Sequence, residues 1–112
     1  MLDGMLVVTR FMLEEGDSDT FVQQAHTALA ALAACQGYLR GRLARAFDEP
    51  DHWTIVTEWR SVGAYRRALS SFDVKMHATP LLARSLDEPS AYEVLAEVEP
   101  GGALTVATSD RA

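Results

Sequence analysis

Residues 53–69 read Trp-Thr-Ile-Val-Thr-Glu-Trp-Arg-Ser-Val-Gly-Ala-Tyr-Arg-Arg-Ala-Leu, and this pattern predicts a strand that turns directly into a helix. Bulky residues at every second position up to Trp59 are typical of a strand with one buried face. Ser61 follows at once and is a favoured helix N-cap. Trp59 at the strand end and Tyr65 on the helix then flank one corner, where two aromatic rings with polar tips suit a small flat ligand.

The rest of the chain builds a ferredoxin-like arrangement around this corner. Apolar periodicity and turn residues predict, in order, a strand over 5–13, a helix from Asp17 or Ser18 to Cys35, and strands over 38–47 and 52–59. After them come a helix from Ser61 to about Ser70, a broken helix over 72–86 with Thr79 capping a part that begins at Pro80, and a strand over 91–98. The order β-α-β-β-α-β predicts an α+β fold with a four-stranded antiparallel sheet and helices on one face.

The length and the first strand bear on domains and assembly. We expect residues 1–99 to form one domain, because 112 residues with 48% hydrophobic side chains suffice for a single core. Residues 100–112 are expected to be a mobile tail or an arm exchanged with a partner. The first strand is apolar on both faces, so the face without helices needs a cover. We therefore expect a homodimer whose two sheets pack together into a barrel.

Charge and cysteine content argue against several classes of protein. The formal net charge is −6, and an acidic surface disfavours binding to nucleic acid and to anionic membranes. No apolar run approaches the roughly 20 residues that span a bilayer, and the first residues lack the basic region of a signal peptide. Cys35 is the single cysteine and is expected to be a small buried residue. We expect a cytoplasmic protein.

Several motifs in the right order resemble the antibiotic biosynthesis monooxygenase family. The likeness covers residues 5–98 and includes Gly37-Tyr38-Leu39, Glu58-Trp59-Arg60-Ser61 and the following Ala64-Tyr65. The resemblance implies the dimeric α+β barrel fold and an oxygenase activity on a small aromatic molecule. Because one fold carries many chemistries, it implies the fold more strongly than the reaction.

Two branches of that family can be compared with the chain residue by residue. The quinone-forming monooxygenases of aromatic polyketide pathways are similar at Trp59 and Tyr65, whereas their pocket asparagine falls on Ile55 and their second pocket tryptophan falls near Ala31. The heme-degrading branch has an asparagine, a tryptophan and a histidine ligand at positions that look like Thr9, Ala68 and His77. Only the histidine matches, which argues against heme degradation.

The resemblance implies a reaction that needs no cofactor. An oxygenase without metal or flavin takes its electrons from an electron-rich phenol or hydroquinone, which is deprotonated in a dry pocket. We expect His77 to be the base, with Asp73 one helical turn before it, and Tyr65 to be the hydrogen-bond donor. Trp59, Thr9, Ile55 and Ala68 are expected to line the substrate pocket.

Other interpretations stay open beside this one. Trp59 and Tyr65 are equally explained as core aromatics, and the protein as a binding or accessory protein without turnover, with heme handling a distant third. Glu58 is expected to make a structural ion pair with Arg42 or Arg40 on the neighbouring strand. His26 and His52 are expected at the surface, and the spacing of the three histidines does not support a metal site.

Small residues on two helices raise a further question. The first helix presents Ala25 and Ala28, and the corner helix presents Ala64 and Ala68, towards the Trp59 end of the sheet. These side chains either leave a void for a ligand or let the helices lie closer to the sheet.

Overall fold

A four-stranded antiparallel sheet organises the structure. The computed structural model describes residues 4–108. The sheet consists of β1 (Met5–Met12), β2 (Tyr38–Arg45), β3 (His52–Trp59) and β4 (Ala91–Glu93). The strands are ordered β2-β3-β1-β4 and every neighbouring pair is antiparallel. The long central pair, β1 with β3, brings Met5 opposite Trp59 and Met12 opposite His52.

The helices cover one face of this sheet, which confirms the predicted ferredoxin-like α+β fold. They are α1 (Ser18–Ala33), α2 (Val62–Leu69), α3 (Phe72–His77) and α4 (Thr79–Leu82). Alternate side chains of β1 and β3 are buried beneath them, among them Val7, Phe11, Ile55 and Trp59. This period of two is the expected signature of a sheet with one fully covered face.

The opposite face of the sheet is less deeply buried. Leu6, Val8 and Val56 lie on it at its centre and are half-buried, and Tyr92 of β4 is exposed beside Leu6. Leu6 and Val8 are among the residues that make the first strand apolar on both faces. The face of the sheet that carries these four side chains is called the open face below.

The strand-to-helix corner forms as predicted. Ser61 is extended and its hydroxyl accepts a hydrogen bond from the backbone N–H of Ala64 at 3.1 Å. Gly37 ends the turn after α1 with a φ of +91°, and a Cβ there would lie 2.4 Å from the Cβ of Ala64. Only glycine therefore fits at this position, where the turn after α1 touches α2.

Two helix boundaries differ from the predictions. Asp17 precedes α1, but its side chain makes no capping hydrogen bond, and the helix ends at Ala33, two residues before Cys35. The break after α3 lies at Ala78, so Thr79 is the first residue of α4 and not its cap. Proline has no N–H to donate, so at Pro80 the bond that a continuous helix would make to Met76 cannot form, and the helix breaks here.

The last predicted strand is wrong in length. β4 ends at Glu93, and residues 96–97 instead form β5 (Ala96–Glu97), which pairs with β6 (Thr105–Val106) in a separate two-stranded ribbon. The reason is the length of its partner, because Glu93 already faces Met5, the first residue of β1. Whether residues 100–112 exchange with a partner stays a prediction, and residues 109–112 lie outside the described part of the chain.

Candidate functional site

The corner brings Trp59 and Tyr65 together, as predicted. Their ring centroids are 5.3 Å apart, and Tyr38 packs edge-on against Trp59 at 5.4 Å. The indole Nε1 of Trp59 donates to Oγ1 of Thr57 at 2.9 Å, and the Trp59 side chain is fully buried. Protein atoms thus enclose the tryptophan, and sequence reasoning missed Tyr38 as the residue that closes it.

Tyr65 is the member of this cluster that the sequence predicts as the hydrogen-bond donor. It is half-buried on α2, and burial raises the pKa of its hydroxyl above the usual value near 10. The phenol therefore stays protonated at neutral pH and can donate a hydrogen bond. Tyr65 precedes Ala68 by three residues, which places both on neighbouring parts of one helix face.

Thr9 and Ile55 lie deeper in the sheet. They are direct partners across β1 and β3, and both are buried. Ile55 is four residues from Trp59 along β3, about 13 Å at the usual rise of a strand. The structure therefore brings Thr9 and Ile55 together but sets them apart from the Trp59 corner.

Ala68 lies at a groove of about 400 Å³ between the end of α1, α2 and the start of α3. We call this the Ala68 groove. Its apolar wall is formed by alanines and one exposed ring, namely Ala31, Ala34, Ala68 and Phe72. Its polar wall carries Arg67, Asp73, Ser71, Gln36 and the thiol of Cys35. Ala31 and Ala68 are both positions that the resemblance relates to family pockets, so this groove is the candidate substrate site.

His77 lines a different groove. That groove has a volume of about 420 Å³, lies between α1, α3 and α4, and is lined also by Thr27, Met76 and Arg84. His77 is exposed, and within residues 4–108 it makes no hydrogen bond to Asp73. Asp73 instead lines the Ala68 groove. The structure therefore places His77 outside the Ala68 groove, while Tyr65, its expected partner in catalysis, lies on α2 and lines neither of these two grooves.

The four alanines of the two helices are closely packed. Ala25 and Ala28 are fully buried, and Ala64 and Ala68 are 3% exposed. Together with the contact between Gly37 and Ala64, this favours helices that lie close to the sheet. The open volume lies outside this layer, in the Ala68 groove.

The ion-pair partner of Glu58 is Arg40, and the other predicted partner, Arg42, is wrong. Arg40 Nε donates to Glu58 Oε2 at 2.8 Å on the open face of the sheet. A register shift between Tyr38 and Arg40 puts Arg40 opposite Glu58, whereas Arg42 faces Val56. The pair is partly exposed, which fits the structural role expected of it.

The other polar residues are near their expected places. His26 is exposed, and Cys35 is half-buried with its thiol directed at the carbonyl of Ala31. His52 is half-buried and shares contacts of 2.9 Å with Asp51 and 3.2 Å with Glu49. Their ligand atoms lie within 4.8 Å of one another, a grouping that the histidine spacing alone could not indicate. Glu49 and Asp51 lie in the loop between β2 and β3, and their closeness to His52 in the sequence was the signal that could have indicated this grouping.

The sequence matches the family model for antibiotic biosynthesis monooxygenases over residues 4–79. A comparison with curated protein sequences gives no match. Within residues 4–108, none of the helices has both the length and the apolar character needed to cross a membrane.

Solved structures share the fold. SnoaB, a cofactor-independent oxygenase from Streptomyces nogalater, is 28% identical, with 82% of this chain and 93% of that chain covered and a TM-score of 0.71. Rv0793 from Mycobacterium tuberculosis is 16% identical, with 87% and 100% covered and a TM-score of 0.71. A conserved protein from Methanosarcina mazei is 20% identical, with 83% and 93% covered and a TM-score of 0.70. The last two show the fold alone.

Proposed function

Because the chain belongs to the antibiotic biosynthesis monooxygenase family, we propose that it is a small monooxygenase that oxidises an aromatic or quinol-like metabolite without metal or flavin. The likeness to a cofactor-independent oxygenase supports the absence of a cofactor. Such an enzyme needs a site that holds a flat substrate and donors that steady its anion.

The observation that carries this proposal is the Ala68 groove. Its volume of about 400 Å³ lies within the range of ligand pockets, roughly 300–1,000 Å³. Alanines at positions 31 and 34 leave room where larger side chains would close the groove. Tyr65 lies one turn before Ala68 on the same helix face, and we assign its protonated hydroxyl as the donor to the substrate anion, in addition to Arg67 and Ser71 on the groove itself.

The reaction balances with oxygen as the only other reactant. A base removes a proton from an activated CH₂ or phenol of the substrate, and the resulting anion supplies the electrons to O₂. One oxygen atom becomes the new carbonyl oxygen and the other leaves as water. Tyr65 stabilises the anion, and His77 accepts the proton through a bridging water. His77 follows Asp73 by one turn, about 6 Å along the helix axis from the groove wall.

Oxygen uptake with anthrone or a substituted hydroquinone tests the activity. We expect Tyr65→Phe and His77→Ala each to lower the rate on the order of 100-fold, the lower end of what a positioned acid or base contributes. His26→Ala is the matched control, because His26 is an exposed histidine on α1. Equal oxygen uptake by the unmodified protein and all three variants would reject the roles assigned to Tyr65 and His77.

Binding without turnover is the second candidate function. The observation that favours it is the separation of His77 from Tyr65, since each lies on a different part of the helical layer. Saturable binding of naphthols without oxygen uptake, across a panel of phenols, would support this function over the oxygenase.

We also propose that the protein is a homodimer with its two open faces packed together. The open face holds Leu6, Val8 and Val56 at its centre, with the ion pairs Arg10–Glu88 and Arg40–Glu58 beside them. An apolar centre with a polar rim is the usual anatomy of a stable interface. The β5–β6 ribbon exposes further apolar residues, Val98, Leu104 and Val106, that a second copy would cover.

A further inference from the structure

Arg67 is the cation on the wall of the Ala68 groove. Its Nη1 lies above Gly63, one turn earlier on α2, where an added Cβ would come within 3.3 Å of it. The missing side chain at Gly63 thus leaves space for the guanidinium to lie along α2, and Arg67 itself lines the groove next to Ala68. A longer residue at position 63 would displace it.

This guanidinium lacks an acidic partner. Arg10 pairs with Glu88 and Arg40 pairs with Glu58, whereas Arg67 has no carboxylate within 4.0 Å among residues 4–108. A free guanidinium offers a planar fork of donors that matches a carboxylate in a bidentate manner. Arg42, Arg60 and Arg66 also lack an acidic partner in the part of the chain that the structure describes, but they do not line the groove.

The remaining walls of the groove suit an aromatic ring. Phe72 is 74% exposed and stands beside the small side chains of Ala31, Ala34 and Ala68. A large exposed ring next to an open groove offers a face or edge for another ring to pack on. Asp73 lies on the same groove and repels a second negative charge at that end.

We infer that the Ala68 groove selects an aromatic acid, whose ring packs against Phe72 and the alanines while its carboxylate pairs with Arg67. The inference rests on the proposed function in treating this groove as the substrate site. It narrows the substrate class from aromatic molecules in general to those that carry one carboxylate. A dianion such as a phosphate ester is disfavoured, because Asp73 shares the groove with the single arginine.

Equilibrium binding of 2-naphthoate and 2-naphthamide, measured by calorimetry on the full chain without oxygen, tests this inference. The two probes share a ring and a shape and differ in charge. We expect the unmodified protein to bind naphthoate at least tenfold more tightly. Arg67→Gln should remove this preference, and Arg67→Lys should restore part of it because the charge returns without the fork. Arg66→Gln, a change of the neighbouring exposed arginine, should leave it intact.

Three outcomes would overturn the inference. They are equal affinity of the unmodified protein for both probes, no binding of naphthoate, or a preference that survives Arg67→Gln. Circular dichroism of each variant confirms that it is folded. Failure of the proposed function looks different, because naphthoate would then be preferred while the unmodified protein takes up no oxygen either with anthrone or with an anthrone that carries a carboxylate. Conversely, oxygen uptake by a protein without a preference for naphthoate would reject the inference alone.

Discussion

The indole N–H of Trp59 donates to the hydroxyl of Thr57, two residues earlier on the same face of β3, and both side chains are almost completely buried. A buried donor without an acceptor costs the full penalty of its lost hydration. The single polar atom of the Trp59 ring is thus satisfied within its own strand. Thr57 thereby allows a tryptophan to fill the corner below Tyr65.

We expect Thr57→Val to destabilise the protein by about 1–3 kcal/mol, because the change keeps the shape and removes the acceptor of a buried N–H. Chemical denaturation measures the difference. Thr9→Val is the matched control, since Thr9 is also buried and its side chain makes no hydrogen bond among the described residues. Equal losses in the two variants would show that the bond to Trp59 contributes nothing specific.

The ion pair between Arg10 and Glu88 should make stability depend on pH in the acid range. Hydrogen bonds from the Arg10 guanidinium lower the pKa of the Glu88 carboxyl below its usual value. Because the pKa of Glu88 is lowered in the folded state, the ion pair contributes to the free energy of unfolding at pH values above the carboxyl pKa of the unfolded chain, about 4.3. It is lost as the pH falls through the folded pKa.

We therefore expect Glu88→Gln to lower the melting temperature at pH 7 and to make little difference near pH 2. Melting curves of the two proteins across this range measure the effect. Glu15→Gln, at an exposed turn, is the control and should leave the melting temperature unchanged both at pH 7 and near pH 2. A difference that persists undiminished at the lowest pH would contradict the assignment to this ion pair.

The open face should tolerate a charge poorly if it packs on a second copy. We expect Leu6→Glu to convert the homodimer, twice the 12.3 kDa of one chain, to a monomer. The reason is that the new carboxylate would be buried in the interface opposite Glu58, whose like charge repels it. Light scattering at micromolar concentration measures the mass. Gln23→Glu on the exposed side of α1 is the control. An unmodified protein that is already monomeric would reject the dimer.

The sheet and the first two helices could be predicted from the sequence because their signals are local. Alternation along β3 and the cap at Ser61 need no knowledge of the rest of the chain. The end of β4 could not be predicted, because it depends on where β1 begins. The choice of Arg40 over Arg42 as the partner of Glu58 could not be predicted either, since a register shift after Tyr38 is invisible in the sequence.

The site was predictable only in part, for the same reason. Trp59 and Tyr65 are six residues apart and meet through local geometry. The contact of Tyr38 with Trp59 depends on the register of β2 on β3, and the groove beside Ala68 depends on how α1, α2 and α3 pack together. His77 enters the predicted site through the resemblance alone, and although the sequence predicts the break in the helix, the groove that His77 lines depends on how α1, α3 and α4 pack around that break.

Two tryptophan substitutions separate the groove from the core beneath it. Ala68 is 3% exposed, so Ala68→Trp should overpack the contact with the sheet and cost about 1–3 kcal/mol or more. Ala34 lines the same groove from its exposed rim, so Ala34→Trp should fill the groove with little change in stability. Melting temperatures and naphthoate binding distinguish the two effects. We expect Ala34→Trp to abolish binding in a protein that melts normally. Unchanged binding in that variant would show that ligands do not use the Ala68 groove, and the monooxygenase proposal would lose the site on which it depends.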